Sequence, residues 1–318
     1  MICPSSLRVI VAALAVFVAD RSAPAAEVTP ADVLVQVELA QSDLEAIRFA
    51  MGRPENDQPE IAVRGAAPRE VYFQALTLFR NADRLAFEHT RQHAIEPATP
   101  AGEIGPADVR GVVVGARQRI GLVLKELGIE PPVQTPQSDP TKTPTDVFRA
   151  IVQANRQLNL LLEQQFAPSD VFQQVTVGIS FAASLLAQFP DATRIPDPPE
   201  FEPGKRPGDV YRRLVECFER VQRIAKRLDL EMLQLDIDQQ QVMKAVPSDV
   251  YDVASLVVSE LAYLHAHAQD TRPPRKAYFP GRKFPSHVYQ RVGILEAQLA
   301  ALEELIDADP DRLTATDR

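Results

Sequence analysis

The sequence predicts an all-α protein, an eight-helix repeat array built as a duplicated four-helix bundle with long proline-rich extended connectors. Three observations carry this reading. Among 318 residues proline reaches 27, glycine only 13, and tryptophan is absent, which suits helices and stiff connectors better than turn-rich β-sheet. A short motif, Pro-x-(Asp/Glu)-Val-(Tyr/Phe), recurs eight times, and apolar residues follow each copy at helical spacing.

The motif prolines are Pro30, Pro68, Pro106, Pro144, Pro168, Pro207, Pro247 and Pro285. Successive intervals are 38, 38, 38, 24, 39, 40 and 38 residues, and the single short step divides the array into two sets of four. Such a period marks an internal duplication. Proline suits the first helical position, where its missing N–H has no partner to lose. The acid two places on lies at the positive end of the helix dipole, and Thr29 and Thr143 read as N-caps. His287 replaces the acid in the last copy, which should weaken that start.

Counting from each proline as zero, apolar residues fall at offsets 3, 7, 10, 14 and 17, for example Val210, Leu214, Cys217, Val221 and Ile224. That spacing draws one stripe along a helix, as in a bundle seam. Each helix should run about 22 residues, roughly 33 Å. Prolines such as Pro54, Pro97, Pro131, Pro196 and Pro273 punctuate the connectors; only residues 229–246 have none, and a short helix is expected there. An extended connector of about 14 residues reaches roughly 46 Å, enough to return along a helix. Parallel helices within each half are therefore expected, with an antiparallel turn between the fourth and fifth. The alternative is an up-and-down array with long loops.

At the N-terminus, Arg8, the apolar run Val9–Ala19 and the small residues Ala23-Pro24-Ala25 read as a signal peptide over 1–25, cleaved near Ala25 or Ala26. No stretch is long enough to span a membrane. The expected organisation is a first half over 26–166, a second over 167–309, a disordered tail over 310–318, and the two halves packed together. A net charge of -9 and pI near 5.2 argue against nucleic acid as a partner. Cleavage removes Cys3 and leaves Cys217 alone, so no intramolecular disulfide is expected in a periplasmic or secreted protein.

Four groups of side chains are candidate sites. Cys217 occupies an offset where the other copies carry Ala, Leu, Val or Gly, and reads as core. His89 and His93 are spaced i, i+4, and His265 and His267 lie near the end of the seventh repeat helix. Parallel neighbours would bring these four imidazoles to one level, where they would suit Zn²⁺ or Cu²⁺. Tyr72, Tyr211, Tyr251 and Tyr289 share offset 4 and should cluster at helix starts, either as a ligand pocket with hydroxyl handles or as plugs bonded to connector backbone. The last connector gathers Arg272, Arg275, Lys276, Arg282 and Lys283 around Tyr278 and Phe279, the best local surface for a partner. Arg212, Arg213, Arg220, Arg223, Lys226 and Arg227 on the sixth repeat helix read as a solvated face that could extend it.

No catalytic motif occurs. The leading expectation is an exported, non-catalytic binding module, without cofactor, acting on an envelope protein or a small ligand. A metal-binding or metal-sensing bundle is the second reading, and an enzyme without a recognisable motif is the third.

Overall fold

The computed structural model describes residues 27–55, 60, 62–100, 102–133, 136–162, 167–237, 239–268 and 281–313. Each of the eight motifs opens a helix at its proline: α1 Pro30–Ala50, α2 Pro68–Thr90, α3 Pro106–Glu126, α4 Pro144–Leu161, α5 Pro168–Leu186, α6 Pro207–Arg227, α8 Pro247–His267 and α9 Pro285–Ala308. The proline-free connector supplies α7, Gln239–Lys244, and the strand β2, Gln234–Leu235, which pairs antiparallel with β1, Val63–Arg64. No described helix is long and apolar enough to cross a membrane.

The motif acid does more than answer the dipole. Asp32, Glu70, Asp108, Asp146, Asp170, Asp209 and Asp249 each accept the backbone N–H three residues back, at 2.7–2.9 Å. Thr29 and Thr143 complete capping boxes through Oγ1. His287 fills the acid's role with its ring: Nδ1 accepts the Phe284 N–H at 3.2 Å, a longer bond than any of the seven carboxylates makes.

The helix starts fix their directions. Pro30, Val33, Pro68, Val71, Pro106, Val109, Pro144 and Val147 surround one apolar opening of about 10 Å³. The equivalent prolines and valines of the second half surround another of the same size. All four starts of each half therefore meet at one end, and its four helices run parallel. In the first half α1 and α2 each pack on α3 and α4; in the second α5 and α6 each pack on α8 and α9. Both halves thus follow one circuit, in which the first and second helices stand diagonally opposite and the long connectors carry the chain back along the bundle.

The offset stripes form the interior. Val147, Ile151, Ala154, Leu158 and Leu161 of α4 are each at most 2% exposed, and Val288, Val292, Leu295, Leu299 and Leu302 of α9 at most 1%. The openings at the helix starts are barely the size of one water. Departures from the repeat have local causes. Gly208 stands where the other helices carry a side chain, because a Cβ there would sit 2.5 Å from the Val242 carbonyl oxygen of α7. The expected tail is partly ordered: Pro310–Arg312 form a 3₁₀ turn, Leu313 is buried, and Arg312 Nε donates to the Gln188 carbonyl at 2.9 Å.

The two halves run in opposite directions. The Arg69 guanidinium, at the start of α2, lies 4.3 Å from the ring centroid of Tyr263, near the end of α8. Tyr251 and Asp252, at the start of α8, meet Asn81 from the middle of α2. Beside this helix pair the ribbon registers Val63 against Leu235, and Arg64 reaches Asp236 at 2.5 Å.

Candidate functional site

Polarity concentrates where the halves meet. Of the buried polar side chains described, Glu70, Gln74, Asn155, Arg156, Asn159, Ser255, Ser259 and Glu260 all lie on α2, α4 or α8. Buried polar groups cost free energy unless partnered, so a cluster of them is a feature that the packing of a helical bundle does not require.

Arg156 donates Nε to Asp252 Oδ2 at 2.9 Å, with its terminal nitrogen 2.8 Å from the same oxygen. Burial pushes the Asp252 carboxyl up to about 6 against the pull of Arg156. Around this pair, Asn81 Nδ2 donates to Asn155 Oδ1 at 3.0 Å, and Gln174 Nε2 donates to the Tyr251 hydroxyl at 3.0 Å. Asn159 Oδ1 is buried without a hydrogen-bond partner among the described residues. Gln74, Thr77, Asn81, Asn155, Asn159 and Asp252 line a cavity of about 20 Å³, room for a water or two. The seam thus holds a guanidinium, a carboxyl that titrates near neutrality, amides and a phenol. This set can donate and accept hydrogen bonds to a polar group entering between the bundles.

The structure divides the tyrosines. Tyr211 and Tyr251 approach this seam: burial raises both phenols, and the carboxyl charge of Asp252 adds to each. Tyr72 instead donates to the Ala98 carbonyl at 3.0 Å, pinning a returning connector. Tyr289 is flanked by Lys205 and Arg213, whose charged ends lie 4.1 and 4.4 Å from its ring centroid. The four therefore do not form one pocket, because each half carries its helix starts at its own end.

The histidines do not share a level either. α2 stops at Thr90, and Arg91 turns left-handed at φ 60°, so His93 leaves the helical face of His89. It folds back with Nδ1 2.8 Å from Asp83 Oδ2, and its ring stacks on Phe87 at 4.0 Å. Asp83 is also held by the Ala94 N–H at 2.8 Å and by Arg119 at 2.9 Å. α2 and α8 are neighbours but antiparallel, so His267 lies near Arg69 at the opposite end of α2, and burial lowers its pKa. His265 packs edge-on to Phe181 at 5.3 Å. Among the described residues no three His, Cys, Asp or Glu side chains are grouped to hold a metal ion.

Cys217 is fully buried, and burial drives its thiol far above the ordinary range, the setting of an inert core cysteine. Of the basic connector, Arg272, Arg275, Lys276, Tyr278 and Phe279 lie outside the described residues. Lys283 turns inward: its N–H donates to Ser169 Oγ at 2.9 Å and its ammonium lies 5.0 Å from the Phe172 ring centroid. Arg282 is exposed, 5.3 Å from the Phe284 ring centroid. Much of the basic face of α6 is committed to α9: Arg213 pairs with Glu296 at 2.7 Å, and Arg220, Arg223 and Arg227 share Glu303. Those arginines join two helices rather than extend a basic patch.

Sequence reasoning missed Arg156, Asp252, Glu70 and Glu260. For Glu260 alone a signal was available, at offset 13, where seven of eight copies carry a polar side chain beside the apolar stripe, yet nothing in the repeat marks which helices face the other half. No family model, curated protein or solved structure matches this chain.

Proposed function

We propose that this chain is an exported, non-catalytic binding module whose recognition site is the polar seam between its two bundles. The observation that carries the reading is the contrast in filling. Apolar side chains at the repeated offsets close both bundle interiors, while amides, a guanidinium and a carboxyl are buried together between them. A small polar ligand, or a polar segment of an envelope protein, would find there hydrogen-bonding groups already held in place. Export rests on the leader-like pattern of residues 1–25, and Edman sequencing of the chain recovered from the periplasm or medium should begin at Ala26 or Glu27.

The binding role is tested by affinity capture from envelope extracts and by thermal-shift screening against polar metabolites, with wild type beside N155L/N159L. Wild type should retain a ligand or gain melting temperature with one, and the variant should lose it while keeping its helical circular dichroism. Equal binding by both proteins removes the seam as the site and shifts attention to the Tyr289 end and Arg282.

A further inference from the structure

The offset-13 side chains flank the apolar stripes, and in most copies a nearby group answers them. Asp43 takes Arg117 at 3.0 Å, Asn81 takes Asn155 at 3.0 Å, and Arg119 takes Asp83 at 2.9 Å. Arg220 pairs with Glu303 at 3.6 Å, while Gln298 donates to the carbonyls of Ile179 and Arg194 at 3.2 and 2.6 Å. Gln157 of α4 leaves its amide oxygen without a partner among the described residues, and Glu260 of α8 goes further. It is 0% exposed, and neither of its carboxyl oxygens has a hydrogen-bond partner among the described residues. The nearest charges are Glu70 and Arg69 of α2, and Glu70 is itself only 1% exposed. Two carboxyl groups thus share a dry site on the main helix pair joining the bundles.

The surroundings decide which of the two holds a proton. Glu70 caps its own helix: its Oε2 accepts the Ala67 N–H at 2.7 Å, the Leu233 N–H adds a further bond, and Arg69 lies 3.4 Å from Oε1. These donors, with the helix dipole, support a carboxylate. Glu260 has no such support, and a bare carboxylate in an apolar interior is far costlier than the neutral acid. The facing groups are few. From α2 come Arg69 and Glu70; on α8 itself lie Tyr263, stacked under Arg69, and His267, whose pKa burial and the Arg69 charge both lower. From α5 and α6, on the other sides of α8, no described charged group reaches Glu260.

We propose that Glu70 and Glu260 form a proton-operated latch between the bundles: while Glu260 is a neutral acid α2 and α8 stay docked, and its deprotonation drives them apart. The step is Glu260–COOH releasing its proton to water, leaving two carboxylates against the single Arg69. Burial raises Glu260 well above its ordinary value of 4.5, with the Glu70 charge adding to it, and burial raises Glu70 as well. For acids raised in this way, docking is strongest below pH 4.5 and is lost as pH climbs through the shifted value. A one-proton latch shifts the docking equilibrium up to tenfold per pH unit. Burial also raises Asp252, farther along the seam, to about 6; a variant that keeps Asp252 and removes the Glu260 acid separates the two. The latch does not depend on what the seam binds.

Small-angle X-ray scattering of the full chain from pH 5.5 to 9.5 tests it, with E260Q alongside. A compact chain of this size has a radius of gyration of about 19 Å. The wild type should hold that value in acid and rise toward about 22 Å as two separated bundles in alkali, while E260Q stays near the compact value throughout. A flat wild-type profile to pH 9.5 overturns the latch, and so does E260Q expanding at the same pH as wild type. Should circular dichroism show E260Q unfolded, Glu260→Met, which removes both oxygens, replaces it with the same expected outcome.

Discussion

The inside of each bundle and the seam between the bundles are built on opposite principles. Within a bundle the same offsets supply the same kind of side chain from four helices, and the result is a buried apolar stripe along each of them. Across the seam no offset repeats its partner, and charges, amides and hydroxyls are buried in its place. Repetition here makes a scaffold, and departure from repetition makes chemistry. Substitutions in the two regions should therefore fail in different ways.

The largest effect belongs to the interior. Phe218, 1% exposed on α6, becomes a void in F218A that rigid parallel neighbours cannot refill. The variant should lose about 3–5 kcal/mol, read as a lower urea midpoint by far-UV circular dichroism, with equal loss at pH 5.5 and 8. A loss that varied with pH would mean that Phe218 is packed against a titrating group rather than against the apolar stripe.

The seam should show the reverse signature. R156M leaves Asp252 buried without its cation, a change that costs about 3 kcal/mol or more when the carboxyl is ionised. Asp252 is already raised to about 6, so its contribution is intact in acid and declines as pH rises through that value. Without Arg156 the carboxyl rises further and the loss extends to higher pH. Urea titrations of R156M should therefore lie close to wild type at pH 5 and well below it at pH 8. A constant gap would show that Arg156 acts by packing alone.

These two regions were also unequally legible. The helix starts were readable because proline, acid and valine each have a local reason to stand where they do. The parallel direction was readable because a connector of that length has a known reach. Glu260 and Asp252 were not, since offsets 13 and 5 of α8 differ from those of an exposed helix only in facing α2. That placement is a property of how two finished bundles meet. The histidines failed for the same reason: His89 and His267 lie on neighbouring helices, but the reversal between halves puts them at opposite ends.

A smaller effect tests a departure inside the repeat. G208A adds a Cβ only 2.5 Å from the Val242 carbonyl oxygen, and backbone cannot yield as a side-chain tip can. It should cost about 1–3 kcal/mol, with hydrogen exchange quickening first in α7. Exchange that quickened evenly along α6 instead would place the strain in the bundle itself.

The smallest effect restores the repeat. His287 is the one motif position in the array without a carboxylate, and its Nδ1 caps α9 through a 3.2 Å bond from the Phe284 N–H. H287D should shorten that bond to the length seen in the other seven helices and place a negative charge against the positive end of the dipole, a gain of about 0.3–1 kcal/mol. Urea midpoints of H287D should lie above those of wild type. Equal midpoints would mean that the Phe201 and Phe284 rings packed beside His287, at 5.2 and 5.9 Å between centroids, fix this helix start more firmly than the cap does.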